Sequence, residues 1–267
     1  SFTMEGCTIS GNTAGSETSD AYANANAYGG GIYGESGTKI DMNDTTISEN
    51  KVASVNGVEG AGVCLHGANL TMNGGLISEN ECSSDSSSFG GGVYVSDGTF
   101  SMEGDAVVDS SNDVYLKTGK TITISGKLTF NGYVATITPE TYAEVQVLAA
   151  SEGITLREQV GKFNVTQSDK FKTEITNEGC LKNTLNDAAD LKEDPNLYEI
   201  CSTIYVYSAD GMNAISDLSQ TGKTFKDKTI FLEKNVELDD KYKPIHKFSG
   251  VFDGKDLSIR LNKPSNY

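Results

Sequence analysis

The chain has 267 residues, a net charge of −16 and 37% hydrophobic residues, with 29 glycines and no tryptophan. Arginine occurs only at Arg157 and Arg260, and the net negative charge argues against a nucleic-acid binder, because phosphate affinity comes mainly from clustered Lys and Arg. No stretch approaches the ~20 apolar residues of a membrane helix, and SFTMEGCTIS lacks the basic start and apolar run of a signal peptide.

The first part of the chain repeats. FTMEGCTISGN (2–12), IDMNDTTISEN (40–50), LTMNGGLISEN (70–80) and FSMEGDAVVDS (100–110) align, with methionines at 4, 42, 72 and 102. GGGIY (29–33), GAGVC (60–64) and GGGVY (90–94) precede three of them. Phe2, Ile40, Leu70 and Phe100 share one column, the methionines another, and Ile9, Ile47, Ile77 and Val107 a third. Polar residues (Thr3, Asp41, Thr71, Ser101) separate the first two columns, the alternation of a strand with one buried face. The methionines read as core filler rather than a soft-metal site. Asn12, Asn50 and Asn80 close the motif, where a turn needs a residue tolerant of left-handed geometry. DVYLKTGKTITIS (113–125) continues the pattern, placing Val114 under Ile32, Val63 and Val93, and Ile122 and Ile124 under the first two columns. About five coils are expected over 1–130, stacked as a parallel β-helix with variable loops such as 13–27 and 81–88 on one edge.

The GGG[IV]Y…M-[EN]-G…ISEN pattern resembles the right-handed parallel β-helix repeats of bacterial cell-surface and secreted proteins, including adhesin-like and polymorphic-outer-membrane-protein-like families. The FxxN tetrapeptides of the latter are missing. The resemblance covers roughly 1–130. It implies an all-β right-handed parallel β-helix, an extracellular or cell-surface location and an adhesive or spacing role.

Composition shifts near 130 and near 200. Net charge is −11 over 1–130, −6 over 131–200 and +1 over 201–267, and all four prolines follow residue 130. Alternating segments over 131–185 read as a small all-β module or cap, which would cover the open strand edge of the last coil. NDAADLKEDPNLYEI (186–200) reads as a linker, with or without a short helix. A second β-rich module is expected over 201–267, with a short helix at 209–220 from the spacing of Met212, Ile215 and Leu218. TIFLEKNVEL…KPI…FSGVFDGKDLSI is similar to the opening of a GLUG-type repeat, so the chain reads as a piece of a longer protein.

Tyr33, Cys64, Tyr94 and Tyr115 share one column beside the inward Ile32/Val63/Val93/Val114 column. They are expected to face outward, either as a sugar or partner platform at Tyr33, Tyr94 and Tyr115 or packed beneath a loop or against a neighbouring module. Carboxylates for acid–base chemistry are Asp41, Asp44, Glu103, Asp105, Asp109 and Asp113, with Asn43 beside them. No arginine precedes 157 to serve a lyase. His66 lacks the companion groups of a polygalacturonase and reads as a surface-turn histidine. Asp239–Asp240 reads as solvated. No calcium motif is present; calcium remains possible without being predicted, and no cofactor or metal site is expected. The five cysteines read as free thiols, with Cys180–Cys201 and Cys64–Cys82 as the open pairings. The expected function is a non-enzymatic bacterial surface or secreted stalk or adhesin binding a glycan or a host or matrix protein. The alternative is a carbohydrate-active enzyme of the lyase or glycoside hydrolase type on the same fold.

Overall fold

The computed structural model describes residues 1–15 and 26–262; most of the loop expected over 13–27 lies outside the described residues. The chain divides into two compact units. The first comprises 1–141, 145–166 and 175–181, the second 142–144, 167–174 and 182–267.

The first unit is built from parallel strands of successive repeats. In its main sheet Phe2–Glu5, Lys39–Asn43, Val63–Asn73 and Val93–Gly104 lie side by side, with Phe2 opposite Ile40, Ile40 opposite Leu70 and Leu70 opposite Phe100. Met4, Met42, Met72 and Met102 stack in the same register and are buried. Ile32, Val63, Val93 and Val114 form a second in-register row. Thr46–Ser48, Lys51–Ser54 and Gly57–Glu59 then join three further parallel sheets, and the neighbouring repeat supplies the partner in each. Like residues therefore meet like residues in the buried columns of the main sheet.

Two columns show why the glycine motif recurs. Gly29, Gly60 and Gly90 have φ of +62°, +65° and +66°, a conformation that L side chains rarely adopt. At Gly62 the backbones of adjacent repeats are too close for a side chain, since a Cβ would lie 2.5 Å from the Gly92 carbonyl oxygen.

The asparagines serve differently from the sequence expectation. The left-handed positions are Gly11, Glu49 and Glu79 (φ +66°, +55° and +55°), one residue earlier. Asn50 and Asn80 are buried, and their side chains link repeats. Asn12 Nδ2 donates to Asn50 Oδ1 at 2.8 Å, Asn50 Nδ2 to Asn80 Oδ1 at 3.0 Å and Asn80 Nδ2 to Asn112 Oδ1 at 2.9 Å. Each oxygen also accepts the main-chain N–H of the preceding asparagine. Asn112 extends a ladder whose sequence motif has faded. The third apolar column is likewise off by one in the fourth repeat: Ile77 pairs with Val108, and Val107 with Leu76. One extra residue after Met102 accounts for the slip.

The stack does not end at 130. Ala135–Pro139 pairs in parallel with Val114–Leu116 and with Phe163–Val165, and Leu148–Ala150 pairs with Ile122–Leu128. Residues expected to form a separate cap thus carry the same sheet onward, with Ile137 beneath Val114 and Leu148 beneath Ile122. Their repeats are shorter and lack the glycine motif, which hid the continuity.

In the second unit, Leu181–Leu185, Thr203–Val206, Thr229–Leu232 and Val251–Asp253 are again parallel neighbours, and Val236–Leu238 pairs with Ile259–Leu261. The expected helix spans Ala209–Gln220; Ser208 caps it by accepting from the Gly211 N–H at 3.2 Å, and Met212, Ile215 and Leu218 are buried. The expected linker is core instead. Ala188, Leu191, Leu197 and Tyr198 are buried around short helices at Ala188–Lys192 and Leu197–Ile200. The acidic residues between these apolar positions mask them in composition.

Two outcomes follow for stability. Asn80→Ala removes the acceptor for Asn50 and leaves buried polar groups unpaired, so it should cost about 2–4 kcal/mol in urea unfolding, whereas Asn12→Ala, at an exposed position, should cost well under half of that. Equal losses at the two positions would contradict a ladder whose value comes from burial. Glu140 binds the Lys117 ammonium and the Thr118 N–H and hydroxyl, which hold its carboxyl at about 2, below its ordinary 4.5. Its contribution is present above the unfolded-state value and is lost as pH falls from about 4.5 through about 2. Because the pair is largely solvated, Glu140→Gln should remove no more than about 1 kcal/mol from the acid limb of the stability–pH curve.

Candidate functional site

The tyrosine column forms in register, with Tyr33 opposite Cys64, Cys64 opposite Tyr94 and Tyr94 opposite Tyr115. Its exposure corrects the platform reading. Tyr33 is 42% exposed, but Tyr94 and Tyr115 are only 4% and 8% exposed and Cys64 is fully buried. The cover comes from the strand that precedes each glycine motif. Tyr28 and Phe89 pack over the column; Phe89 lies 4.7 Å from Tyr115, and Tyr94 stacks on Tyr115 at 5.4 Å. Burial raises the pKa of both the Tyr94 and the Tyr115 hydroxyls.

One repeat departs from the aromatic rule. Glu59 ends the strand Gly57–Glu59 and lies opposite Tyr28 on one side and Phe89 on the other. Cys64 takes the tyrosine position, and His66 lies opposite Glu35 and Asp97. The main chain reverses between Glu59 and Val63 through left-handed Gly60, and this brings the three side chains together. Their ligand-type atoms all lie within 4.8 Å of one another. His66 Nε2 and Glu59 Oε2 are 2.8 Å apart, and His66 Nδ1 is 3.3 Å from the Tyr33 hydroxyl. The Glu59 charge adds to burial in raising the pKa of the Tyr94 hydroxyl. Cys64 forms the floor, where burial and then the Glu59 charge push its thiol pKa up, while the His66 and Glu59 side chains keep 28% and 20% of their surface open to solvent. His66 is therefore not a surface-turn residue: it sits on the strand Val63–Asn73 among Tyr28, Tyr33 and Tyr94.

No protein-family model, curated protein or solved structure matches the chain.

The carboxylates singled out in the sequence are dispersed, with one exception. Asp113 accepts the Gly91 N–H at 2.7 Å, Asp109 accepts from Ser111, and Asn43 accepts from Asn73 at 2.8 Å. Asp41 lies in the polar row with Thr3 and Thr71, and Glu103 lies opposite Asn73. Asp44 and Asp105 converge on Gly74, where a Cβ would lie 2.5 Å from an oxygen of each. In the second unit Asp239 accepts the Lys241 N–H at 3.0 Å. All five cysteines are free, so neither considered pairing forms.

An aromatic surface that sequence reasoning missed lies further along the first unit. Phe130 and Tyr133, 41% and 60% exposed, line a groove with Asp109, Ser110, Thr136 and Asn164. They occupy a connection rather than a repeat column, so the periodicity carried no signal for them; two aromatics within four residues of a polar turn, FNGY, were the available sign.

The burial difference separates the tyrosines by experiment. Tyr115→Ala should cost about 3–5 kcal/mol in urea unfolding, as for a buried aromatic, and Tyr33→Ala about 1 kcal/mol or less. Similar small losses at both would restore the exposed platform.

Proposed function

We propose that the first unit is a right-handed parallel β-helix and that the protein is a non-enzymatic bacterial surface or secreted rod whose outer face binds a glycan. The hand follows from the general rule that parallel strands in one sheet connect by right-handed crossovers in about 98% of cases. The role as a rod is supported by in-register columns running from Phe2 to Val165. The adhesin-like resemblance of the GGG[IV]Y…ISEN pattern supports an extracellular or cell-surface setting.

The observation that carries the binding role is the Phe130–Tyr133 groove. Sugar rings present apolar C–H faces and hydroxyl edges. Exposed aromatic faces take the former, and Asp109, Thr136 and Asn164 provide acceptors and donors for the latter. The net charge of −16 disfavours polyanionic glycans through general repulsion, so neutral polysaccharides are the favoured class. A second reading, a carbohydrate-active enzyme, rests on the Asp44–Asp105 pair at Gly74.

The test is retention of the chain on neutral and acidic polysaccharides, with and without calcium, while products are followed. Neutral glycans should retain the protein without cleavage. Phe130→Ala and Tyr133→Ala should each weaken retention about five- to tenfold, the value of one lost aromatic contact. Cleavage abolished by Asp44→Asn or Asp105→Asn would replace the adhesive reading with the enzymatic one. Retention unaffected by either aromatic substitution would move the binding site elsewhere.

A further inference from the structure

We propose that Glu59, Cys64 and His66 form a binding site for one zinc ion. The donor set is a thiol sulfur, an imidazole nitrogen and a carboxylate oxygen, the three ligand types that zinc takes from proteins. Calcium and magnesium favour oxygen-only sets, so the sulfur and nitrogen select against them. The three ligand atoms already lie within 4.8 Å of one another, and small side-chain shifts bring them to the separations of a tetrahedral site.

The repeat supplies an independent argument. At the Glu59 position the flanking repeats place Tyr28 and Phe89; at the Cys64 position they place Tyr33 and Tyr94; at the His66 position they place Glu35 and Asp97. Aromatic packing satisfies the first two columns elsewhere. A single repeat abandons it at both, gains a histidine in the third, and the three exceptions meet at one point. A packing role for Cys64 alone would leave Glu59 and His66 without a reason to change in the same repeat.

The surroundings also fit. With Nε2 on the metal, the His66 ring can donate from Nδ1 to the Tyr33 hydroxyl, 3.3 Å away, which fixes its tautomer. The ion enters past Glu59 and His66, which are partly open, and rests on the Cys64 sulfur. Binding breaks the Glu59–His66 contact and releases the Cys64 thiol proton to solvent. Three protein ligands leave the fourth position to water.

The experiment uses the full chain, reduced and stripped of metal, titrated with Co²⁺ and then Zn²⁺. One equivalent of Co²⁺ should bind with a thiolate-to-cobalt charge-transfer band and the intense visible bands of a tetrahedral site, and Zn²⁺ should displace it while Ca²⁺ does not. Cys64→Ser should abolish the charge-transfer band. Because Cys64 is buried, Glu59→Gln and His66→Gln are measured beside it, with circular dichroism confirming the fold; each should weaken zinc binding at least tenfold. Tyr33→Phe removes only the His66 partner and should weaken it by about tenfold. Cys7→Ser, at an exposed thiol, should leave the spectrum unchanged. No stoichiometric binding, a band that survives Cys64→Ser, or one that disappears in Cys7→Ser overturns the proposal.

Discussion

In the first unit every residue must tolerate its counterpart in the repeat before and the repeat after. Parallel strands in register place side chains of one column about 4.8 Å apart. A column of methionines fills space, and a column of bare backbone at Gly62 and Gly92 lets two repeats approach where a methyl group could not fit. A column of asparagines pays for its burial by bonding to itself. An isolated buried amide costs free energy, but here each neighbour offers the missing donor or acceptor. Shape and polarity are thus decided column by column.

That constraint explains what could be read from the residues. The Ile40–Leu70–Phe100 and methionine columns were legible because the same residue class recurs at a fixed offset, and their pairing is as the alignment placed it. Legibility faded where the offset changed. One added residue after Met102 moved Val108, not Val107, opposite Ile77. Beyond 130 the repeats shorten and lose their glycines, so Ile137 and Leu148 looked like members of another module. At 186–200 the buried apolar Leu191, Leu197 and Tyr198 were outvoted by their acidic neighbours, and composition mistook core for linker.

The site was harder to read than the fold. Alternation assigned the tyrosine column to the outer face, correctly for a lone sheet. It carried no information about the strands at Ala27–Tyr28 and Ser87–Phe89 that come back over that face and bury Tyr94 and Tyr115. Cys64 and His66 were visible as individual residues. Their meeting with Glu59 depends on the chain reversing through Gly60, and nothing in the spacing of E-x4-C-x-H announces it. Departures from a repeat proved more informative about chemistry than the repeat itself.

The asparagine ladder has a direction. The side-chain amide nitrogens of Asn12, Asn50 and Asn80 each donate to the side-chain oxygen of the next asparagine, while those of Asn50 and Asn80 also reach back to the Ile9 and Ile47 main-chain carbonyls. Amide dipoles aligned head to tail polarise one another, so each bond strengthens its neighbours. At Asn112 the row ends on main-chain carbonyls, those of Asn80 and Ser111, which are fixed by the fold and need no further asparagine. The stack therefore has a polar grain: a repeat inserted within it must carry an asparagine that faces the same way, whereas the repeats beyond Asn112 are released from that requirement and are free to become shorter and more varied.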